Sequence, residues 1–571
     1  MVDTVFPKGL AGSVEASHGS LDLWVSWRGG RSWPTAICPK TILRLRGGLQ
    51  KDRLRYACGQ RVLHRAGGAR PATLRGDARV LRRRALGCRG RRSVRLLACG
   101  RAPDGFRAAR WQDGVLCLQQ DRPAGRRGAP APRLSPVKAR ATPLWPAAES
   151  IPCDHAGLFL LVPRIVELGL HELIGACKYP STKELSAWHS LGSLLLAKCA
   201  RTPRVSHAHA LADDDALGLL LGLTALPKAT HLTSYSYRVR RSSNEQLLAG
   251  VTRRLRELGL ATGAEGFNLD FHAIRHHGDE APLEKHYVPR RSQRTRAVLT
   301  FFAQDHASTE MVYANADLTK TEQAREIIAF ADYWQKVAGT DPGLLVFDSK
   351  LTTYKVLSEL TERGIRWLTL RERGPKLIAD LNALPASEWK TVRVERSGRY
   401  RAPEIHDQLV KINDMESPVR QLAMRNIGRE QPTLLITNDL ERTTKQLFAR
   451  YAERMGIENE LDAYISGFHI DVLSSGLPLN VDLDTTLTVI AGNLYRLLAR
   501  RLARYEHATP DRLWRHFLDS TGKLHIDEQT LTLELRIRTY HPVLIDAGLA
   551  DQATPIPWLD GRQLRFRFLP R

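Results

Sequence analysis

Residues 343–351 read GLLVFDSKL. The apolar run 344–347 has the pattern of a strand buried on both faces, and it stops at Asp348. Two readings compete for that carboxylate. The local one makes Asp348 the N-cap of a helix over KLTTYKVLSELTERG. The other has the buried strand hold the acid in place for chemistry. The choice rests on what the rest of the chain brings beside it.

Upstream, EGFNLDFHAI alternates: Phe267, Leu269 and Phe271 point one way, and Asn268, Asp270 and His272 the other. RAVLTFFAQD (296–305) and TEMVYANADL (309–318) read as two further strands close enough for a hairpin, and 320–337 as an amphipathic helix. GLLVFD is then the fourth strand, 350–363 a helix, and IRWLTLRE (365–372) the fifth strand. The order β-β-β-α-β-α-β predicts a mixed α/β sheet in which the first and fourth strands are parallel neighbours. Residues 373–431 interrupt it with strand-like WKTVRVERSGRYRAPEIHDQLVKI and SPVRQLAMRNIG, a β-rich insertion. PTLLITND (432–439) is one more apolar strand, and LERTTKQLFARYAERMGIENELDAYI the closing helix.

Projected at 100° per residue, Leu447, Tyr451, Arg454, Glu458, Leu461 and Ile465 fall within an arc of about 80° that should face the sheet. Glu453 and Glu460 project to the opposite side. Glu458 is thus an acid on an inward stripe, where it needs a partner, a proton or a metal. An ion pair to Arg454 is the local reading, and Asp462, at the edge of the stripe, is a rival acid. Asp270, Asp348 and Glu458 can then meet. Three carboxylates repel one another unless something positive lies between them. Hard oxygen ligands with open positions suit Mg²⁺, with Mn²⁺ as a substitute. Two such ions about 4 Å apart would activate a water or a 3′-hydroxyl against a phosphodiester.

Elsewhere the patterning is plainer. Residues 150–262 predict a small helical domain with a possible role in binding DNA ends, and Arg238, Arg240 and Arg241 beside Tyr235 and Tyr237 predict either a phosphate contact or a solvated loop. Arg290, Arg291 and Arg294 in VPRRSQRTR would track a DNA backbone or form another solvated loop. The core spans 263–372 and 432–504 around the insertion, and 505–571 reads as a small β-rich tail of unknown role.

The formal net charge is +25, yet residues 1–140 hold 30 Lys and Arg against 8 Asp and Glu, which leaves 55 against 52 in the remainder. That first segment is Arg-rich and aperiodic, and carries five of the eight cysteines. It reads as a low-order extension over 1–145. It is either a basic nucleic-acid-binding arm or the product of GC-rich DNA read in a wrong frame or from an upstream start. There is no Cys-x-x-Cys, so a zinc knuckle is not expected, and the scattered thiols suit a reducing compartment. No signal-peptide pattern opens the chain and no run of about 18 apolar residues occurs. The expectation is a cytoplasmic, nucleoid-associated protein without a membrane partner.

FNLDFHAI, LLVFDSKLT and YAERMGIENELD together resemble the Asp, Asp and Glu regions of the DDE transposases of bacterial insertion sequences, over roughly residues 150–571. The group in question has a ribonuclease-H-like core with a β-strand insertion before the catalytic Glu. LLITND and FHIDVLSSGLPLNVDLDTTLTVIAGNLYRLLARR fit on either side of the closing helix. The group's helix motif is Tyr, two residues, Arg, three residues, Glu, six residues, Lys. Tyr451, Arg454 and Glu458 match it, and Ile465 stands at the Lys position. The resemblance implies catalysis and metal binding by Asp270, Asp348 and Glu458, and end-phosphate contacts by Tyr451 and Arg454. It further implies double-stranded DNA as partner and a homodimer in the DNA complex. The departure at Ile465 bears on the hairpin-forming route. A nuclease of the same fold without strand transfer, and an inactive remnant that only binds DNA, are the alternatives.

Overall fold

The structure is a computed structural model. It describes residues 139–141, 150–276, 283–288, 293–348, 351–394, 402–428, 430–472 and 475–570, together with the backbone of short strands between residues 2 and 117. The chain divides into two units, Met1–Ser135 and Pro136–Arg571. The expectation of a low-order extension over 1–145 falls for the larger part outside the described residues.

The second unit opens with β1 (Ser150–Cys153) and a helical stretch that includes α1 (Ala187–Cys199) and α2 (Arg241–Glu257). A mixed sheet follows. Its first strands are β2 (Phe267–Arg275), β3 (Lys285–Val288), β4 (Gln293–Asp305) and β5 (Met311–Asn315). Then come α3 (Glu326–Ala338), β6 (Leu344–Val346), α4 (Tyr354–Glu362) and β7 (Arg366–Leu370). β2 lies antiparallel to β4 along its whole length, from Phe267 opposite Asp305 to Arg275 opposite Ala297, and β4 pairs in turn with β5. β6 is parallel to both β2 and β7. The lateral order is β5-β4-β2-β6-β7.

Segregation of side chains explains the layering. Phe267 turns its ring onto Phe330 and Trp334 of α3, at 5.1 and 4.5 Å between centroids. Asn268, on the opposite face, meets the closing helices. All of β6 is buried, as a parallel strand covered on both faces must be. Gly266 fixes where β2 begins. It has φ +83°, and a Cβ there would run into the carbonyl oxygen of Leu344, so only glycine lets the two strands close up.

The insertion differs from the expected run of strands in beginning with a helix, α5 (Pro375–Asn382). β8 (Lys390–Thr391), β9 (Glu404–Val410), β10 (Val419–Arg425) and β11 (Thr433–Thr437) follow, and they extend the same sheet, since β11 pairs antiparallel with β7. The closing helix is two helices, not one: α6 (Thr444–Ala452) and α7 (Met455–Phe468), separated by a turn at Glu453 and Arg454. The break shifts the phase of everything after it. Glu460, projected to the solvent side, is buried and ion-paired with Arg496.

That partner lies on α8 (Pro478–Arg500), a helix packed against β5, α1 and α2. Several of its buried polar residues are tied to neighbouring elements. Asp482 accepts from Arg241, Asn244 and the backbone N–H of Ala316, at 2.8, 2.8 and 3.0 Å. Lys198 lies 2.8 Å from Asp484, and Asn493 donates to the carbonyl of Met311. Arg241 is therefore a core residue, not the phosphate contact one reading gave it. No helix among the described residues is long and apolar enough to cross a membrane.

The tail is not self-contained. β12 (Gly522–Ile526), β13 (Thr530–Arg536), β14 (Ala553–Ile556) and β15 (Arg562–Leu569) form a sheet whose fifth strand is β1. Trp558 docks the sheet onto the helical stretch, with its ring 4.6 Å from that of Trp188 and its Nε1–H on the carbonyl of Leu220.

Candidate active site

β2 and β6 run parallel with Phe267 opposite Leu345 and Asn268 opposite Val346. The pairing ends there; Asp270 lies two residues further along β2, and Asp348, two residues past the end of β6, acts electrostatically on it. Asp348 is not the cap of the following helix. α4 starts at Tyr354 with Thr353 at its N-cap. The carboxylate lies two residues beyond the end of β6, half-buried.

α6 and α7 lay their junction across this point. Tyr451 is half-buried near the end of α6, Arg454 is buried in the turn, and Glu458 occupies the first turn of α7. Arg454 stands among the acids. Its Nη2 donates to Glu458 Oε1 at 2.5 Å, and its Nη1 is 3.9 Å from Asp270 Oδ2. The Tyr451 ring lies against the guanidinium, with its centroid 5.7 Å from Cζ. The Arg454 Nε–H is buried and, among the described residues, has no hydrogen-bond partner. Asp270 is fixed through Oδ1, which accepts from the backbone N–H of Phe271 at 2.9 Å.

The electrostatics tie the five residues together. Burial pushes the Asp270 carboxyl up to about 6; Arg454 opposes the shift, and Glu458 and Asp348 add to it. Burial also works against the charge on Arg454, but Tyr451, Glu458, Asp270 and Asp348 together hold the guanidinium above its ordinary value. Burial raises the Tyr451 phenol to about 12, against Arg454. Glu458 and Asp348 thus both act on Asp270, and among the described residues Arg454 is the cation paired with Asp270 and Glu458.

The donor set is all oxygen and anionic, which is the chemistry a hard divalent ion takes. As the side chains stand, no group of three or more His, Cys, Asp or Glu among the described residues is placed to hold a metal ion. Arg454 stands between Glu458 and Asp270, 2.5 Å from the first and 3.9 Å from the second.

The remaining expected residues lie apart. Asp462 is exposed on α7. Arg294 is exposed at the start of β4, eight residues from Phe302, the partner of Asp270. That is about 27 Å along the strand. Arg290 and Arg291 lie outside the described residues. One contributor was missed. Arg450 donates to Asn268 Oδ1 at 2.8 Å, and Asn268 donates to Gln304 at 3.2 Å, which pins α6 onto β2 beside Asp270. Asn268 shares the polar face of β2 with Asp270, so the alternation of that strand held the signal. No family model matches the chain, and no curated protein matches its sequence.

Proposed function

We propose that the chain is a DNA transposase that cleaves the ends of an insertion sequence and transfers the freed strand into target DNA. The observation that carries this reading is that Asp348, just past the end of a strand parallel to β2, and Glu458, on a helix laid across it, both act electrostatically on Asp270 of β2. The order β5-β4-β2-β6-β7, with the first three antiparallel and the last two parallel to β2, is the one expected of a ribonuclease-H-like core. The extension of that sheet before α6 corresponds to the β-rich insertion of the resembled group.

In this reading Asp270, Asp348 and Glu458 would hold two Mg²⁺ ions, or Mn²⁺ in their place. Bound there, the ions supply activation of the attacking oxygen and stabilisation of the leaving one. The chain's own residues do the rest. The backbone N–H of Phe271 keeps Asp270 aimed, and Arg450 with Asn268 keeps the helix junction seated. Arg454 offers its unpartnered Nε–H to a phosphate oxygen of the element end, a charge-assisted bond that favours leaving the acids. Tyr451 backs the guanidinium. Water opens the phosphodiester at the element's 3′ end, and the freed 3′-hydroxyl then attacks a target phosphate. Two copies of the chain would hold the paired ends.

The test is strand joining. Pre-cut end DNA with a free 3′-hydroxyl, incubated with the full chain, Mg²⁺ and a target plasmid, should yield covalently joined product. The Glu458→Gln variant should yield none while still binding the DNA. Nicking without any joined product would make the chain a nuclease of the same fold.

A further inference from the structure

Outside the acid cluster, one segment of the second unit combines arginines with aromatic rings. Residues 141–571 hold 55 basic and 52 acidic side chains, yet 500–516 hold five arginines against two acids. This segment leaves α8 and enters a short α-turn, Pro510–Leu513, capped by Thr509, followed by a π-helical turn, Trp514–Leu518. Such π turns are uncommon and recur at functional sites.

The π turn lays His516 flat on Tyr540. The rings are parallel to within 1° with centroids 3.7 Å apart. Tyr505 is bonded to the other edge of the imidazole, its Oη 2.7 Å from Nδ1, and the Arg512 guanidinium covers the Tyr505 ring at 4.5 Å. Arg512, Arg515 and Arg538 all act electrostatically on His516. Arg515 is paired with Asp511 at 2.7 Å. Arg512 and Arg538 have no carboxylate partner among the described residues. Arg538 is braced by Ser520 Oγ at 2.9 Å and by the carbonyl of Asp519. Tyr540 is 43 % exposed although one face is covered by His516, so its edge and outer face are open.

From this we infer that the His516–Tyr540 stack, with Arg512, Arg515 and Arg538, is a binding surface for single-stranded DNA. Two parallel rings at this separation can be continued by an unpaired base, at close to the base-to-base rise of about 3.4 Å in a strand. The arginines around them would take the phosphates on either side. A duplex offers its phosphates but keeps its base faces stacked, so it satisfies only half of the surface. The surface borders the catalytic helix. The Cβ of Pro510 packs on Gly467 of α7, where a Cβ would collide with it, about 14 Å along the helix from Glu458.

The choice of polymer rests on the reading of the chain as a DNA-handling protein, but the test does not use cleavage. The full chain is nitrated with tetranitromethane, and modification of the peptide containing Tyr540 is quantified by mass spectrometry, alone and with saturating oligothymidine of about 20 nucleotides. Nitration of Tyr540 should fall about fivefold with the single strand and markedly less with a blunt duplex of the same length. The Arg512→Ala, Arg538→Ala double variant should lose that protection. Unchanged nitration at saturating oligothymidine would overturn the inference. So would equal protection by the duplex, or protection that rises with protein concentration in the absence of DNA, which would assign the surface to a second copy. Protection with no strand joining would break the transposase reading alone; joining without protection would break this surface alone.

Discussion

Asp482, buried, and Asp270, half-buried, each have an arginine beside them, and they are built in opposite ways. Asp482 is saturated: a guanidinium, an amide and a backbone N–H point at its two oxygens. Burial works against the charge on Arg241, but Asp482, Tyr313 and Glu326 reverse that and hold the guanidinium above its ordinary value. Asp270 has one backbone donor, an arginine at 3.9 Å and two acids for company. A carboxylate given every donor it can use holds a fold together. A carboxylate held in place and left short of donors, next to others like it, is arranged for a ligand.

Substitution should separate the two sharply. Asp270→Asn should lower plasmid nicking by several orders of magnitude and leave the melting temperature equal or higher, because it removes a charge that burial and its neighbours disfavour. Asp482→Ala should cost about 3–5 kcal/mol of stability, since Arg241 would be left buried and unpaired. Urea unfolding and nicking, run on both variants, read the crossing. A large stability loss at Asp270 would put both residues in one class.

A smaller effect is expected at the backbone where β2 meets β6. Gly266→Ala should cost about 2–3 kcal/mol, from its positive φ and the collision with the Leu344 carbonyl. What remains folded should nick about 100-fold more slowly, as the two strands are pushed out of register. Wild-type nicking in a folded Gly266→Ala chain would detach the chemistry from this register.

The smallest expected effect concerns a third kind of acid. Glu326 is buried and bonded to the neutral donors Tyr313 and Asn315, both at 2.8 Å. Burial raises it from 4.5 to about 7. The folded state therefore holds this proton more tightly than the unfolded chain does. Its contribution is full below pH 4.5 and is lost as pH rises to about 7. Glu326→Gln should flatten the fall of stability over that window by about 1–3 kcal/mol. Denaturant midpoints measured across the window check it, and an unchanged slope would show that Glu326 stays ionised.

How much of this the sequence disclosed depends on range. The run into Asp348, the alternation around Asp270 and the parallel neighbourhood of their strands are local patterns or follow from element order. The break between α6 and α7 was not legible. Arg454 keeps helical dihedrals, φ −53° and ψ −28°, and no proline marks the turn, so the apolar period ran on through it. Glu460 was misplaced for that reason, and because its partner Arg496 lies 36 residues away. Arg241 looked like a basic loop because Asp482 is 241 residues distant. The tail looked separate because the strand that completes its sheet, Ser150–Cys153, lies at the other end of the unit. The helix-cap reading of Asp348 failed on a nearer point, the presence of Thr353 at the N-cap.

The central claim is that Asp270, Asp348 and Glu458 form one metal-dependent phosphodiester site. Nicking of a supercoiled plasmid carrying the DNA that flanks the gene tests it most directly, with the full chain and its Asp348→Asn variant in Mg²⁺, Mn²⁺, Ca²⁺ or EDTA. The account predicts nicking by the unsubstituted chain in Mg²⁺ and Mn²⁺, little in Ca²⁺, whose larger and looser shell positions the nucleophile poorly, and none in EDTA. It predicts a loss of several orders of magnitude in the Asp348→Asn variant. Full nicking in EDTA, or by the Asp348→Asn variant, would contradict it.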